Sequence, residues 1–392
     1  MEWSLHSFGA PGVGVVTMKR LVFLMAFSVG CSGLGSDLGT ETQYSQCPDS
    51  PATDAFSETV CICEDFKDIG NLIVGTSRIQ DNATLAVNGQ TIVMNNTQVR
   101  GTFIPYGGLD AKANVQVTKG ISSAGTVSAL GNVEAGSDLD VGGDLTGVGR
   151  LEVGGTLRVG GTDRFVGWQD VNATGPYGTT PDAPCGCNDI IDVVGLIAAA
   201  KTNNDNAAAS LPTDINNIGW TDVRLTSGSY YFSEIRTIGA TRFIIDGAVA
   251  MYIDGNLDSI GAEWITLTSG SVLDLYVAGA VRNIGHVALG DKWAPSSFRL
   301  YIGGEEECSI NVGNQIFNGA IYAPKADLRY IGNTKIRGAV TAKSILGIGN
   351  LVVGYAAPDA PPEECPPTGD DPPQDPPTAD DPPDDDDPPI VL

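Results

Sequence analysis

Residues 136–161 read GSDLDVGGDLTGVGRLEVGGTLRVGG, a polar-apolar-polar-apolar unit that returns every six residues with glycine between the copies. Followed outward, the register holds at Val115, Ile121, Val127, Val133, Leu139, Leu145, Leu151 and Leu157. A second apolar position follows two residues later at Val117, Ala129, Ala135, Val141, Val153 and Val159, with Ser123 and Gly147 in the remaining copies. Residues two apart lie on one side of an extended strand, so each triplet offers an apolar face. No α-helix has a period of six. Three triplets joined by glycine turns close one coil of roughly 18 residues, with the aliphatic residues stacked inside. The pattern therefore predicts an all-β fold, a parallel β-helix with short Gly-rich rungs. Its handedness is not written in the period.

The same grammar returns elsewhere. IGNLIVG at 69–75 and IGNLVVG at 348–354 are near copies almost three hundred residues apart, and short aliphatic strands separated by Gly, Asn and Asp resume after residue 240. This predicts one solenoid from about 66 to 355, with an N-terminal β-helix over 66–184 and a C-terminal one over 241–357. Between them, 185–240 reads as a Cys-flanked insertion. Its CNDIIDVVGLIAAAKTNND changes period, and Ile190, Val194, Ile197 and Ala198 fit one face of a helix at about 188–202. Asn188 or Asp189 is the expected cap, and Gly195 weakens the middle.

The two ends have a different composition. Met18-Lys19-Arg20 followed by LVFLMAFSVG and Cys31 reads as an export signal over 18–30, too short to span a bilayer. It resembles a bacterial lipoprotein signal, which implies a lipid on Cys31 and an outer-membrane or cell-surface location; Ser28 stands where such signals carry Leu. Residues 1–17 read as an upstream extension from a mis-assigned start, and 31–65 as a polar tether. Residues 358–392 hold 13 prolines and 12 acids without Lys or Arg, a composition that builds no core and predicts a disordered acidic tail.

Export gives the eight cysteines a meaning. The pairs Cys61/Cys63 and Cys185/Cys187 flank the repeat region, and cross-pairing would staple both ends of one segment. Four thiolates could instead hold a metal, but zinc ligands usually stand two to four residues apart, and an oxidising compartment favours disulfides. Cys308 and Cys365 are candidates for a further bridge tying the tail to the solenoid.

A net charge of −25 excludes nucleic acid as a partner, because phosphate binding needs a basic surface. His286 is the only histidine after the signal. There is no G-x-S-x-G elbow, no H-E-x-x-H, and the glycines of GVGRLEVGG are explained by the six-residue register rather than by a dinucleotide loop. Two sets of acids stand close in sequence: Asp138, Asp140 and Asp144, and Asp246, Asp254 and Asp258. Asp138 and Asp140 share the outward face of a strand, and Arg150 and Arg158 reach that face by stacking. Such acids are weak candidates for Ca²⁺, or for the paired carboxylates of a glycosidase. Apart from calcium, no cofactor is expected.

Residues 317–350 contain Gly319, Ile321, Tyr322, Ala323 and Pro324, then Gly338, Ala339, Val340, Ala342 and Lys343. This G-x-I-Y-A-P … G-A-(I/V)-x-A-K arrangement resembles an uncharacterised family of exported bacterial β-helical proteins, over about 185–355, some of them pilus-associated or surface-anchored. The N-terminal half is similar to the short-rung solenoid of bactofilins. The resemblance implies an envelope β-helix and supplies no catalytic residues. Ile321, Ala323, Val340 and Ala342 are expected to stack in successive rungs, Pro324 to bend a strand exit, and Lys343 to be solvated or to pair with Asp327. The functional expectation is a non-enzymatic structural or adhesive surface lipoprotein, with polysaccharide or an envelope or pilus protein as partner. The alternatives are a self-assembling envelope scaffold and a carbohydrate-active β-helix enzyme.

Overall fold

In the computed structural model, residues 55–75, 82–180, 182–188, 190–312 and 315–354 are described. The signal over 18–30, Cys31, most of the tether, Cys365 and the acidic tail lie outside them. Twenty-seven strands among the described residues form one sheet, and adjacent rungs pair in parallel throughout. The expected parallel β-helix with a helix-bearing insertion is the fold.

In the N-terminal half the period is regular because each inward column is filled from the six-residue register. Val60, Leu85, Phe103, Ile121, Leu139 and Leu157 stack on one face. Phe66, Thr91, Leu109, Val127 and Leu145 stack on a second. Leu72, Thr97, Val115, Val133 and Leu151 stack on the third. All are buried. The solenoid starts earlier than the expected residue 66, since Val60–Ile62 is already the first face of this half.

The C-terminal half starts at Asp214–Phe232 rather than near 241. Its second-face column runs Ile215, Ile235, Leu257, Val281, Cys308, Leu328 and Ile345. Consecutive members are 17 to 27 residues apart, so turns of varied length hide the repeat from a sequence reading. Ile321 stacks on Val340 and Ala323 on Ala342, and the register slips just after Ala323, where Pro324 stands.

The order of the halves along the axis is reversed. The last C-terminal strands pair with the first N-terminal ones, Val340 with Val60, Ile345 with Phe66 and Leu351 with Leu72. IGNLVVG thus lies directly against IGNLIVG, and their likeness reflects neighbouring rungs. Residues 55 and 354 both sit at this mid-solenoid junction, where the Thr341 hydroxyl donates to the Ala55 carbonyl at 2.8 Å. Thirteen rungs result, seven from the C-terminal half followed by six from the N-terminal half.

Reversed order obliges the chain after Gly175 to travel back along the solenoid before re-entering at Asp214. This strap carries two helices, α1 (Val193–Ala200) and α2 (Asn206–Ala209). The expected helix is shorter at both ends and uses a different face. Asp192 is the N-cap, accepting from Gly195 N at 2.9 Å, in place of Asn188 or Asp189. Val193, Ile197 and Ala200 are buried, while Val194 and Ala198 face solvent. Starting the helix at 193 rotates its apolar stripe to the i, i+4, i+7 set.

Candidate functional surface

The strap lies on an outward column running Tyr231, Tyr252, Tyr276, Tyr301, Tyr322, Thr341, Cys61 and Ala86. Its contacts climb that column in reverse. Disulfides join Cys61 to Cys185 and Cys63 to Cys187, each with Cα atoms 5.6 Å apart. Ile190 N donates to the Tyr322 hydroxyl at 3.1 Å. The buried face of α1 packs on the tyrosines, whose rings stack at 4.9 Å (Tyr252–Tyr276) and 4.7 Å (Tyr276–Tyr301). At the far end Lys201 and Tyr231 both bond Asp254, at 3.0 and 2.8 Å. Beside the tyrosines, Arg299 forms a buried bidentate pair with Asp274, one arm 2.9 Å long.

A second feature runs along a corner. Ile331 pairs with Ile348, and Leu130 with Val148 and then Val166. Between these groups come Ile69, whose N–H reaches Gly347, and Met94, whose N–H reaches Asp68. Ile238 holds the equivalent position earlier in the C-terminal half, in register with Ile218, Ile260 and Ile284. Leu130, Val148 and Val166 are each more than half exposed. In most rungs glycine follows, because the corner places backbone where a side chain would be: a Cβ on Gly149 (φ +147°) would fall 2.4 Å from the Gly131 carbonyl oxygen. Asparagine often comes next and forms a ladder. Asn114 donates to Asn96, Asn132 N donates to Asn114, and Arg150 N donates to Asn132. The sequence reading missed this ridge, although the signal, an aliphatic-Gly-Asn tripeptide, stood inside the two near copies it quoted.

The candidate acids are placed separately and each meets a partner. Asp138 accepts from Thr156 N at 2.8 Å, and Asp138 and Asp140 share one nitrogen of Arg158, at 3.0 and 2.9 Å. The backbone N–H and then the guanidinium hold the Asp138 carboxyl below its usual range. The shared outward face is as read, but Arg150 turns away to Glu152 at 2.6 Å and lies over Trp168 at 4.4 Å. Asp144 accepts from Thr162 N at 2.8 Å. Asp246 bonds Arg224 and Thr268, which lower its pKa. Asp254 is lowered by Tyr231 and Lys201. Asp258 stands 3.5 Å from Arg282 and 3.9 Å from Arg236. Among the described residues no group of three or more His, Cys, Asp or Glu side chains is placed to hold a metal ion. His286 lies in the strand Val281–Leu289, its backbone opposite Ala262.

Lys343 pairs with Asp327 at 3.6 Å. Cys308 is a buried free thiol that accepts from Val281 N at 3.4 Å, and burial pushes its pKa up. One buried acid escaped the sequence reading altogether. Asp68 points into the core at the junction and accepts from the Tyr330 hydroxyl at 2.7 Å. Its other oxygen has no hydrogen-bond partner, and burial raises its pKa to about 6. Gly347 lies between them in register, and a Cβ there would meet the Tyr330 ring at 1.9 Å.

Residues 177–357 match the family model described as "Domain of unknown function (DUF7305)". The matched span takes in the strap and the whole C-terminal half, and contains the 185–355 segment in which the sequence resemblance was read. No curated protein and no solved structure matches the chain.

Proposed function

We propose that this chain is a non-enzymatic structural or adhesive scaffold of the bacterial cell surface, exported by the signal at 18–30 and held by a lipid on Cys31. The observation that carries the reading is the junction. The first and last described residues of the solenoid, 55 and 354, both stand at its mid-length, so the tether and tail expected from the sequence join it near its centre rather than at its ends. Two disulfides clamp the strap to the same rung, which suits an oxidising compartment. The acids a carbohydrate-active enzyme would use are instead engaged by Arg158, Arg224, Lys201 and backbone N–H groups, as a framework uses them. Polysaccharide or an envelope or pilus protein is the partner class, in line with the surface-anchored setting the family resemblance implies. The test is binding of the chain from residue 32 onward to an array of envelope and extracellular polysaccharides, with and without calcium, while reducing ends and unsaturated products are monitored. Saturable binding without product supports the scaffold. Product formation would replace it with the enzyme.

A further inference from the structure

Reversed rung order makes Asp163–Gly175 and Asp214–Phe232 the two axial ends of the solenoid, and among the described residues each pairs on one side only. At the second end the edge is partly closed. Asp205 N donates to Ser229 O at 2.7 Å and Asp205 accepts from Ser229 N at 2.8 Å, while the Asn206 amide bonds both Tyr231 O and Tyr231 N. These contacts imitate a neighbouring strand over 229–231; over 214–226 no second strand pairs with this edge among the described residues. At the first end, residues 173–175 cover 156–158 of the preceding turn, and no second strand pairs with 163–171 among the described residues. These stretches therefore belong to the same two faces at both ends.

The two ends also match in sequence. Residues 166–171 read VGWQDV and residues 218–223 read IGWTDV. Within the molecule the comparable likeness, IGNLIVG with IGNLVVG, marks rungs that stack directly. We propose that a second copy of this chain docks its 214–226 edge on the 163–171 edge of the first, continuing the parallel sheet head to tail. The occupant is a strand because the edge offers a row of backbone groups, and it is this chain because the inward and outward positions agree. Val171 and Val223 both point inward, Asp170 and Asp222 both outward. Strand direction is kept: both halves run the same way along the axis, so an N-terminal last rung can be followed by a C-terminal first rung in parallel.

Charge across the same match is mixed: Asp170 falls opposite Asp222, whose charge Arg242 offsets, and Arg224, which also holds Asp246, stands beside them. Glu134, Glu152 and Asp170 stack toward the first end. The corresponding face of the second end carries Arg224 and Arg242, with Asp222 already bonded to Arg242 at 2.6 Å. In the proposed register Asp170 is diagonal to Arg224, within reach of a long side chain. Val166, Trp168 and Trp220, each more than half exposed, come together at the continued corner. Asp163 and Gln169 have to swing aside, since they now bond the N–H and carbonyl of Phe165 at 2.9 and 3.1 Å. An interface that repeats without closing builds open chains. The inference deepens the scaffold reading and rests on it for its setting at the surface.

The test is sedimentation across a concentration series of the disulfide-intact chain from residue 32 onward, with Val166→Glu and Trp220→Glu made separately and checked for unchanged circular dichroism. Wild type is expected to form a ladder of oligomers and each variant to be monomeric. An equimolar mixture of the two is expected to give dimers and nothing larger, because only one competent pair of edges remains. Wild type that stays monomeric at its solubility limit would overturn the proposal. So would oligomers that survive either substitution, or a mixture without dimers. Polysaccharide binding measured on the monomeric variants separates the two readings, since binding without stacking leaves the surface scaffold in place.

Discussion

Asn71 and Asn350, 279 residues apart, are bound side chain to side chain: Asn71 Nδ2 donates to Asn350 Oδ1 at 3.0 Å, and Asn71 N donates to the same oxygen at 3.1 Å. Asn350 Nδ2 in turn donates to Asn333 at 2.6 Å. One ladder thus crosses the boundary between the two halves, and the boundary is built like any other pair of rungs. A circular permutant follows. Joining residue 354 to residue 55 by a linker of about six residues, and opening the chain at 180, places all thirteen rungs in plain sequence order. Its far-ultraviolet circular dichroism is expected to equal that of the parent. A loss of sheet signal would show that the halves do not continue one another.

Each disulfide closes a loop of 124 residues, for which chain entropy gives about 4–5 kcal/mol. The two loops overlap, offset by two residues at each end, so once one is closed the other closes only a short remaining loop and adds little. Replacing Cys63 and Cys187 by Ala is expected to cost about 1 kcal/mol or less in urea denaturation, and removing all four cysteines about 4 kcal/mol. Additive losses from the two bridges would contradict this.

How much of this was legible in the sequence depends on where regularity lay. The six-residue register at Val115 to Leu157 was enough for the fold, because each position stacks on the one 18 residues earlier. The reversed order was not legible, since strand neighbours are a tertiary property and IGNLIVG with IGNLVVG supports either order. The helix face was misread by one residue because Ile190, Val194, Ile197 and Ala198 satisfy the period as well as Val193, Ile197 and Ala200. Only the cap at Asp192 decides between them. Asp68 in FKDIGN was not singled out, because its inward orientation follows only from its parity with Phe66.

The strap depends on α1 seated over the tyrosine column. Ile197 is buried between the helix and those rings, and Ile197→Ala is expected to cost about 2–4 kcal/mol. Asp192→Ala removes the cap and costs about 1 kcal/mol. In both variants hydrogen exchange is expected to quicken over 193–206 with both disulfides intact. Unchanged protection there would place the strap's stability elsewhere.

Thr91 and Thr97 occupy inward positions that Leu and Val fill in neighbouring rungs, and their hydroxyls are buried without hydrogen-bond partners. Valine keeps the shape and removes the stranded polar group. Thr91→Val and Thr97→Val are each expected to raise stability by about 1 kcal/mol, read as a higher urea midpoint at constant slope. A lower midpoint would mean that the hydroxyls are satisfied.

Asp68 gives stability a pH dependence of known sign. Its folded pKa of about 6 lies above the ordinary aspartate value of 3.8, mainly through burial, with Tyr330 opposing. Between those values the folded chain binds the proton more tightly than the unfolded one, so stability falls as pH rises. The contribution is fully present below about pH 4, is lost through pH 6, and amounts to about 3 kcal/mol. Asp68→Asn cannot ionise and still accepts from the Tyr330 hydroxyl. The variant is expected to lose the slope between pH 4 and 6 and to exceed wild type in stability at pH 7. Parallel pH profiles for the two proteins would mean that Asp68 is charged in the core, and that Tyr330 with the Gly70 N–H suffices to hold it there.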